Sequence, residues 1–369
     1  MRKRYNKTKN IFDFYIYILN MTPKIIFIVP YRDRPIHKHF FENYMKYILE
    51  DYPDGYCEVF FSEQNSENKY FNRGAVKNIG FLAMKQRYPD HYEDITFVFN
   101  DVDTVPYKKG LLPYETTRGV IKHFFGFTFA LGGIFSITGA DFEKIKGFPN
   151  YWTWGHEDAV IQRRALQENM NISIDRSVFF SIRNPSIIQL NNHSTRNMDV
   201  GTSFALSDWL NTIDIIMNLR LTINKDTNTI FIDNFDLALT KNIHSFTLNL
   251  TKGRNKYMLD VARNKKLYKM NFGENVEYKI NENITGAKEH LLKLNYNLND
   301  LNYNDKLENR IQKKSVIDVN KNPNQIQKED LKTNVNPNLN SNTNSLLNAK
   351  ILEYNRVLYT RRRNFRFKR

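Results

Sequence analysis

Three apolar runs bounded by turn residues constrain this chain most. PKIIFIVP (23–30), CEVFFSEQ (57–64) and ITFVFNDVD (95–103) each read as a strand. The first and third are apolar almost throughout, the pattern of strands covered on both faces. Two stretches with apolar residues at helical spacing lie between them, HKHFFENYMKYILED (37–51) and RGAVKNIGFLAMKQR (73–87). Further on, GIFSITGADFEKIKGFPN (133–150) reads as a strand, a helix and a Gly-Phe-Pro stop. EDAVIQRRALQEN (157–169) reads as an amphipathic helix with acids in its first turn, which suits the macrodipole. Strands alternating with helices predict an α/β sheet that is at least partly parallel.

The 369 residues suffice for two domains, or for one large domain with additions. With 41% apolar and 14% aromatic residues the chain can build a core. The single cysteine, Cys57, excludes a disulfide scaffold, a cysteine zinc cluster and a C-x-x-C pair. At the start of a strand it reads as a buried small hydrophobe. After residue 236 the pattern weakens. Residues 237–293 hold short alternating pieces and read as a small accessory region. Residues 294–348 are Asn-rich and nearly low-complexity, the composition of a linker. Residues 349–369 form a basic tail, and no internal repeat is present.

The net charge of +15 invites a nucleic-acid reading, but its distribution argues otherwise. Residues 21–200 carry 21 basic and 21 acidic side chains and are neutral. Residues 1–20 carry +4 and residues 201–369 carry +11, six of it in the last nine positions. A neutral segment with basic flanks is not the profile of an enzyme whose active groove is basic. The basic N-terminal extension, 1–22, includes the apolar stretch IFDFYIYIL. That stretch is too short to span a bilayer and lacks a small-residue cleavage site. Basic residues beside Phe and Tyr suit peripheral contact with an acidic membrane surface.

Four motifs carry chemistry. Asp101-Val102-Asp103 follows a strand, and ligands of α/β sheets bind outside the carboxyl ends of strands. Alternation aims both carboxylates the same way, where a hard divalent cation would relieve their repulsion. A turn or a helix cap explains the same residues. Trp152-Thr153-Trp154-Gly155-His156-Glu157-Asp158 offers aromatic faces and acids for a sugar ring, or equally a core aromatic pair before a helix cap. Pro30-Tyr31-Arg32-Asp33-Arg34 ends the first strand with arginines suited to phosphate, or is a solvated turn. Tyr70-Phe71-Asn72-Arg73 could hold a base and a phosphate.

In order and spacing, PYRDR, FNRGAVKNIGF, FVFNDVD, LGGIFSITGADFEKIKGFPN and YWTWGHED resemble the beta-1,4-galactosyltransferase family, glycosyltransferase family 7. That family shows P-F-R-N-R, F-N-R-A-K-x-x-N-x-G, D-V-D, F-G-G-V and N-x-Y/F-W-G-W-G-x-E-D-D. The resemblance spans residues 23–236 and includes LSDWLN (206–211). It implies a GT-A nucleotide-diphospho-sugar transferase fold with a mixed, mainly parallel central sheet, plus a C-terminal extension. It implies a metal-dependent, inverting transfer of galactose or N-acetylgalactosamine from a UDP-sugar to a hydroxyl of an acceptor glycan, with Mn²⁺ and Mg²⁺ as the candidate ions. By the same resemblance, Pro30, Tyr31, Arg32, Arg34, Phe71, Arg73, Asp101, Trp154, Gly132 and Gly133 would bind the UDP-sugar. Asp103 and His193 would hold the metal. Trp154, Glu157 and Asp158 would meet the acceptor, with Asp158 as general base and Glu157 beside it. An inverting transfer needs one such base in line with the departing diphosphate.

Three positions depart from that pattern. Leu190 stands where the family has a metal-binding methionine, and Gln189, Asn191, Asn192 or water could substitute. Ala159 stands where the family has a second aspartate, so the acceptor need not be N-acetylglucosamine. Ala130 stands where a tyrosine narrows the donor pocket, which would admit a bulkier donor. His156 reads as a surface loop residue, and His37, His39 and His123 as structural or surface residues. With neither an anchor nor a cysteine pair, the chain is expected to be cytoplasmic or cytosol-facing, unlike the family's Golgi members. Its Asn-, Lys- and Ile-rich composition suits an AT-rich genome such as that of a large DNA virus or a protist, in the former case placing it in the host cell. Two competing readings are an inactive carbohydrate-binding relative, supported by Leu190 and Ala159, and a nucleic-acid-binding protein acting through the basic tail.

Overall fold

The computed structural model describes residues 22–65, 69–152, 155–190, 195–199, 210–241, 245–249 and 278–296. The basic N-terminal stretch 1–21, most of the Asn-rich segment and the basic tail lie outside them. Among the described residues no helix is long and apolar enough to cross a membrane.

Strands β1 (Ile25–Tyr31), β2 (Cys57–Gln64) and β3 (Thr96–Asn100) alternate with helices α1 (Pro35–Ile48) and α2 (Arg73–Arg87). β1 pairs parallel with both β2 and β3, so Ile28 lies between Phe60 and Phe99. This βαβαβ unit is the architecture the alternation predicts. Its core explains why β1 has no polar side. Ile26, Ile28, Phe60, Phe97 and Phe99 face Val76, Ile79 and Met84 of α2. Ile25, Phe27, Val29, Phe61 and Val98 face Phe41, Met45 and Ile48 of α1. Period-2 alternation thus feeds two separate cores from one strand.

The next strand, β4 (Thr104–Pro106), lies outside this sheet, which later strands complete. β5 (Val120–Gly126) and β6 (Ile134–Thr138) follow, then β7 (Ser173–Asp175), β8 (Phe180–Ser181) and β9 (Ile187–Gln189). β10 (Thr195–Asp199), β11 (Ile216–Asn224), β12 (Thr229–Leu237), β13 (Leu239–Lys241), β14 (Ser245–Asn249) and β15 (Tyr278–Ile280) end the series. The nine-stranded main sheet runs β11-β12-β2-β1-β3-β6-β5-β7, with β8 also on β5. β6 is antiparallel to β3 and β5, and β11 to β12; the remaining pairs of this sheet are parallel. A mixed, mainly parallel α/β sheet is therefore present. β4 pairs with β9, β10 with β14 and β13 with β15 as two-stranded sheets.

Helix boundaries differ slightly from the sequence reading. α1 begins at Pro35, whose ring fixes a helical φ and needs no intrahelical partner. α2 covers the expected residues, capped by Asn72, whose Oδ1 accepts from Ala75 N at 3.0 Å. α3 (Gly139–Lys144) is capped by Thr138. α4 (Glu157–Ala165) is shorter than expected, because a 3₁₀ turn over Glu168–Met170 takes the residues after it. The β11–β12 hairpin is not evident from periodicity, and its Ile230, Ile232, Phe235 and Leu237 join the α2-side core. Ala238 and Leu239, with Ala287 and Leu291 of α5 (Ala287–Lys293), lie in that same core. Residue 236 therefore marks no break in packing. Short strands carry too few residues to reveal a shared core by pattern alone.

Asn78 of α2 clips this core to the segment that leads into the YWTWGHED motif. Its Nδ2 donates to Phe148 O at 2.8 Å and Asn150 Oδ1 at 2.9 Å, and its Oδ1 accepts from Phe148 N at 2.8 Å. All three residues are buried. Asn78→Ala should cost about 2–3 kcal/mol by stranding these groups, read as a lowered midpoint in denaturant unfolding.

Candidate functional site

The site lies at the carboxyl end of β3. The strand stops at Asn100, whose Nδ2 donates to Asp101 O and Thr104 O, both at 2.8 Å. Thr104 N closes the turn on Asp101 O at 3.1 Å. Asp101 and Asp103 therefore leave a turn, not a strand, and the shared direction expected from alternation is lost. Arg73 takes Asp101 at 2.6 Å, while Arg34 takes Asp103 at 3.1 Å.

Arg73 is the hub of the site. Its Nη2 donates to Asp101 Oδ1 at 2.6 Å and its Nη1 to Glu157 Oε1 at 2.6 Å. The same Nη1 reaches both oxygens of Asp158, at 2.9 and 3.0 Å. Burial works against this charge, but Asp101, Asp158 and Glu157 more than offset it, and the guanidinium pKa is held well above its ordinary value. Its donors are directed to carboxylates. α2 carries Arg73 on its first turn and α4 carries Glu157 and Asp158 on its own first turn, so two helix N-termini face each other across one guanidinium.

Glycines let the acids in. A Cβ on Gly132 would stand 2.6 Å from Asp158 Oδ2, so only glycine leaves room for that carboxylate. Gly133 has φ +71°, and a Cβ there would meet Phe125 O at 2.6 Å. Leu131 N donates to Asp158 O at 2.8 Å, which joins the β5–β6 loop to α4. Gly155, at φ +120°, turns the chain into α4, and its N–H donates to Glu157 Oε2 at 3.1 Å. His156 follows at φ +68°.

The remaining expected residues fall into three groups. Pro30 and Tyr31 are buried, and Arg34 N donates to Tyr31 Oη at 3.2 Å. Burial, first, raises the Tyr31 pKa. Arg32 Nη1 donates to Lys69 O at 2.6 Å, bringing PYRDR beside the Tyr70-Phe71-Asn72-Arg73 stretch, and Phe71 packs on the α2-side core. Trp154 and His193 lie outside the described residues, as do Thr153, Asn191 and Asn192. Trp152 stacks on Phe235 with centroids 5.1 Å apart, so the first tryptophan anchors the loop to β12 instead of forming half of a sugar platform.

Asp103 is the described half of the expected metal pair. Among the described residues no group of three His, Cys, Asp or Glu converges on one point. Leu190 N donates to Asp103 O at 2.8 Å, and Leu190 O faces His37 Nε2 at 3.3 Å. The chain thus leaves β9 against Asp103, three residues before His193. The Asp103 carboxylate is a hard oxygen donor of the kind that suits a divalent ion such as Mn²⁺. Cys57 is only half-buried, and burial pushes its thiol up to about 12.

Sequence reasoning missed two participants. Lys77, buried under the ring of Phe148, places Nζ 3.3 Å from Asp158 Oδ1. It sits one turn after Arg73 on the same face, which is the signal that could have found it. His123 is fully buried beneath the glycine loop, with Nε2 at 3.0 Å from Phe125 O and 3.1 Å from Gly132 O.

Two family models match the chain, one described as the N-terminal region of glycosyl transferase group 7 over residues 19–112 and one as the N-terminal domain of galactosyltransferase over residues 123–184. Over those two segments the chain is similar to the beta-1,4-galactosyltransferase family. Both matches contain residues that meet at Arg73. Among its relatives, beta-1,4-galactosyltransferase 2 of Homo sapiens is 36% identical over 156 residues, covering 40% of each chain. Beta-1,4-galactosyltransferase 1 of Bos taurus is 31% identical over 169 residues, covering 43% of this chain and 40% of its own. The xylosylprotein 4-beta-galactosyltransferase of Caenorhabditis elegans is 28% identical over 160 residues, 41% of this chain and 53% of its own. The chain thus spans about two fifths of the length of the first curated relatives it matches. Among solved structures, the catalytic domain of Drosophila beta1,4-galactosyltransferase 7 with xylobiose aligns at TM-score 0.43 and 20% identity, over 58% of this chain and 94% of that one.

His123 gives this protein a pH signature. Arg176 Nε donates to His123 Nδ1 at 3.0 Å, so Nε2 carries the hydrogen toward the carbonyls. Burial, then the Arg176 charge, lower the pKa to about 4. A histidine depressed in the folded state contributes stability above its unfolded pKa of about 6.5 and loses it as pH falls toward 4. The loss should approach about 3 kcal/mol. Thermal unfolding from pH 7 to 4 should steepen accordingly, and His123→Gln should flatten that dependence.

Proposed function

We propose that this protein transfers galactose or N-acetylgalactosamine from a UDP-sugar to a hydroxyl of an acceptor glycan, with inversion. The observation that carries this reading is the convergence of Asp101, Glu157 and Asp158 on Arg73 at the end of β3, beside the Asp103–Arg34 pair. The names of the relatives support a galactosyltransferase. A further Drosophila galactosyltransferase 7 structure holds manganese, UDP-Gal and xylobiose, which is the kind of donor and acceptor proposed.

In this reading Asp158 is the general base and lies a quarter exposed. It takes the proton of the acceptor hydroxyl as that oxygen bonds to C1 of the donor sugar. The bond from C1 to the diphosphate oxygen breaks on the opposite face, and UDP leaves with that electron pair. Glu157, nearly buried, orients the acceptor and fixes the Gly155 turn. Trp154 follows that anchor and covers donor and acceptor against water. Gly132 and Gly133 bring backbone close to the donor sugar, and Asp101 faces it. Pro30, Tyr31, Arg32, Arg34 and Phe71 hold the nucleotide, and Arg73 holds the acids around it. Asp103 and His193 would hold a divalent cation, Mn²⁺ foremost and Mg²⁺ as the alternative. When bound, that ion neutralises charge developing on the diphosphate.

Asp158→Asn should lower kcat for transfer by about 10³-fold with donor KM little changed, because it removes a group used after binding. Asp103→Asn should weaken Mn²⁺ activation, read as a raised half-saturating concentration. Retained turnover in Asp158→Asn would refute the assignment of the base. Ala130 stands where the family's donor-narrowing tyrosine is expected, so turnover of UDP-N-acetylgalactosamine should reach at least that of UDP-galactose. A strict UDP-galactose preference refutes that point alone.

A further inference from the structure

We propose that Lys77 is a positioning residue that sets the rotamer and the proton affinity of the Asp158 carboxylate. This rests on the reading of Asp158 as the base. Lys77 is 1% exposed, yet its ammonium does not end among apolar groups alone. It lies 3.3 Å from Asp158 Oδ1 and 3.9 Å from Asp101 Oδ1, with the Phe148 ring centroid 4.5 Å away. A buried lysine needs such partners, because an unpaired ammonium is costly away from water. Here the partners are acids that Arg73 already binds.

Arg73 alone cannot fix Asp158. Its Nη1 lies almost equally far from both oxygens and is shared with Glu157. Such a contact leaves the carboxylate free to pivot. The lysine reaches Oδ1 from a second direction and removes that freedom. Oδ2, met by Arg73 but not by Lys77, then keeps a lone pair for the acceptor proton. Three acids, Asp101, Glu157 and Asp158, are met by two cations, Arg73 and Lys77. His123, neutral beneath Gly132, is the remaining titratable group whose charge state Asp158 influences. Burial, then the neighbouring Arg73 charge, lowers the Lys77 pKa, while Asp158, Asp101 and Glu157 pull it back.

The test is the pH dependence of UDP release from UDP-galactose with Mn²⁺ and N-acetylglucosamine or xylose as acceptor, on the full chain. Removing a cation beside a carboxylate raises its pKa, so the acid limb of kcat should move up by about one pH unit in Lys77→Met. kcat should fall by about tenfold or more while donor KM stays within about twofold. Lys77→Arg, which keeps the charge, should recover most of kcat and return the limb. Should Lys77→Met not fold, Lys77→Gln keeps a donor without the charge, and the same shift is read on it. A wild-type limb and kcat in the neutral variant overturns the proposal, as does an arginine variant that fares no better than methionine. Asp158→Asn is run beside them. If it is inactive while neutral variants keep the wild-type limb, only the role of Lys77 fails; if it is active, the base assignment itself fails.

Discussion

One guanidinium holds this site together. Arg73 lies in the first turn of α2, and Glu157 and Asp158 lie in the first turn of α4. Without a cation between them, Asp101, Glu157 and Asp158 would repel at close range, and Glu157 is largely shielded from water. Their attraction to Arg73 therefore fixes where the β3 turn, the α2 N-terminus and the α4 N-terminus stand.

The packing beneath serves that same junction. α2 is pressed onto β1 and β2 by a core rich in phenylalanine, where Phe81, Phe97, Phe142, Phe99 and Phe148 form a chain of ring contacts. Phe148 ends that chain over the Lys77 ammonium. Asn78, one residue further on α2, holds the backbone of the same phenylalanine. The hydrophobic core and the ionic site thus share one helix, and a shift of α2 in the core would be felt at Asp158.

Much of the fold was legible from the chain. β1, β2 and α2 lie where the apolar runs and the helical spacing place them, because each is long and strongly patterned. The β11–β12 hairpin and the packing of Ala238, Leu239, Ala287 and Leu291 on the main core were not legible. Their strands are short or half-exposed, and which sheet edge they join depends on β2 being free there. At the site, the ordered motifs named Arg73, Asp101, Glu157 and Asp158, but not the contacts among them. Motifs report residue types in order; they do not report that three acids claim one arginine.

The sequence by itself determined the α/β alternation, the neutral segment between basic flanks, and the order of motifs that marks the beta-1,4-galactosyltransferase family. Those properties are local, written in periodicity, composition and spacing. Only the tertiary structure decided that Asp101 and Asp103 separate onto two arginines, that Trp152 is an anchor on Phe235, and that Lys77 is buried against Asp158. Each of these joins residues from 28 to 83 positions apart. Charge pairing and burial at that separation are set by how helices seat on the sheet, which no local pattern encodes.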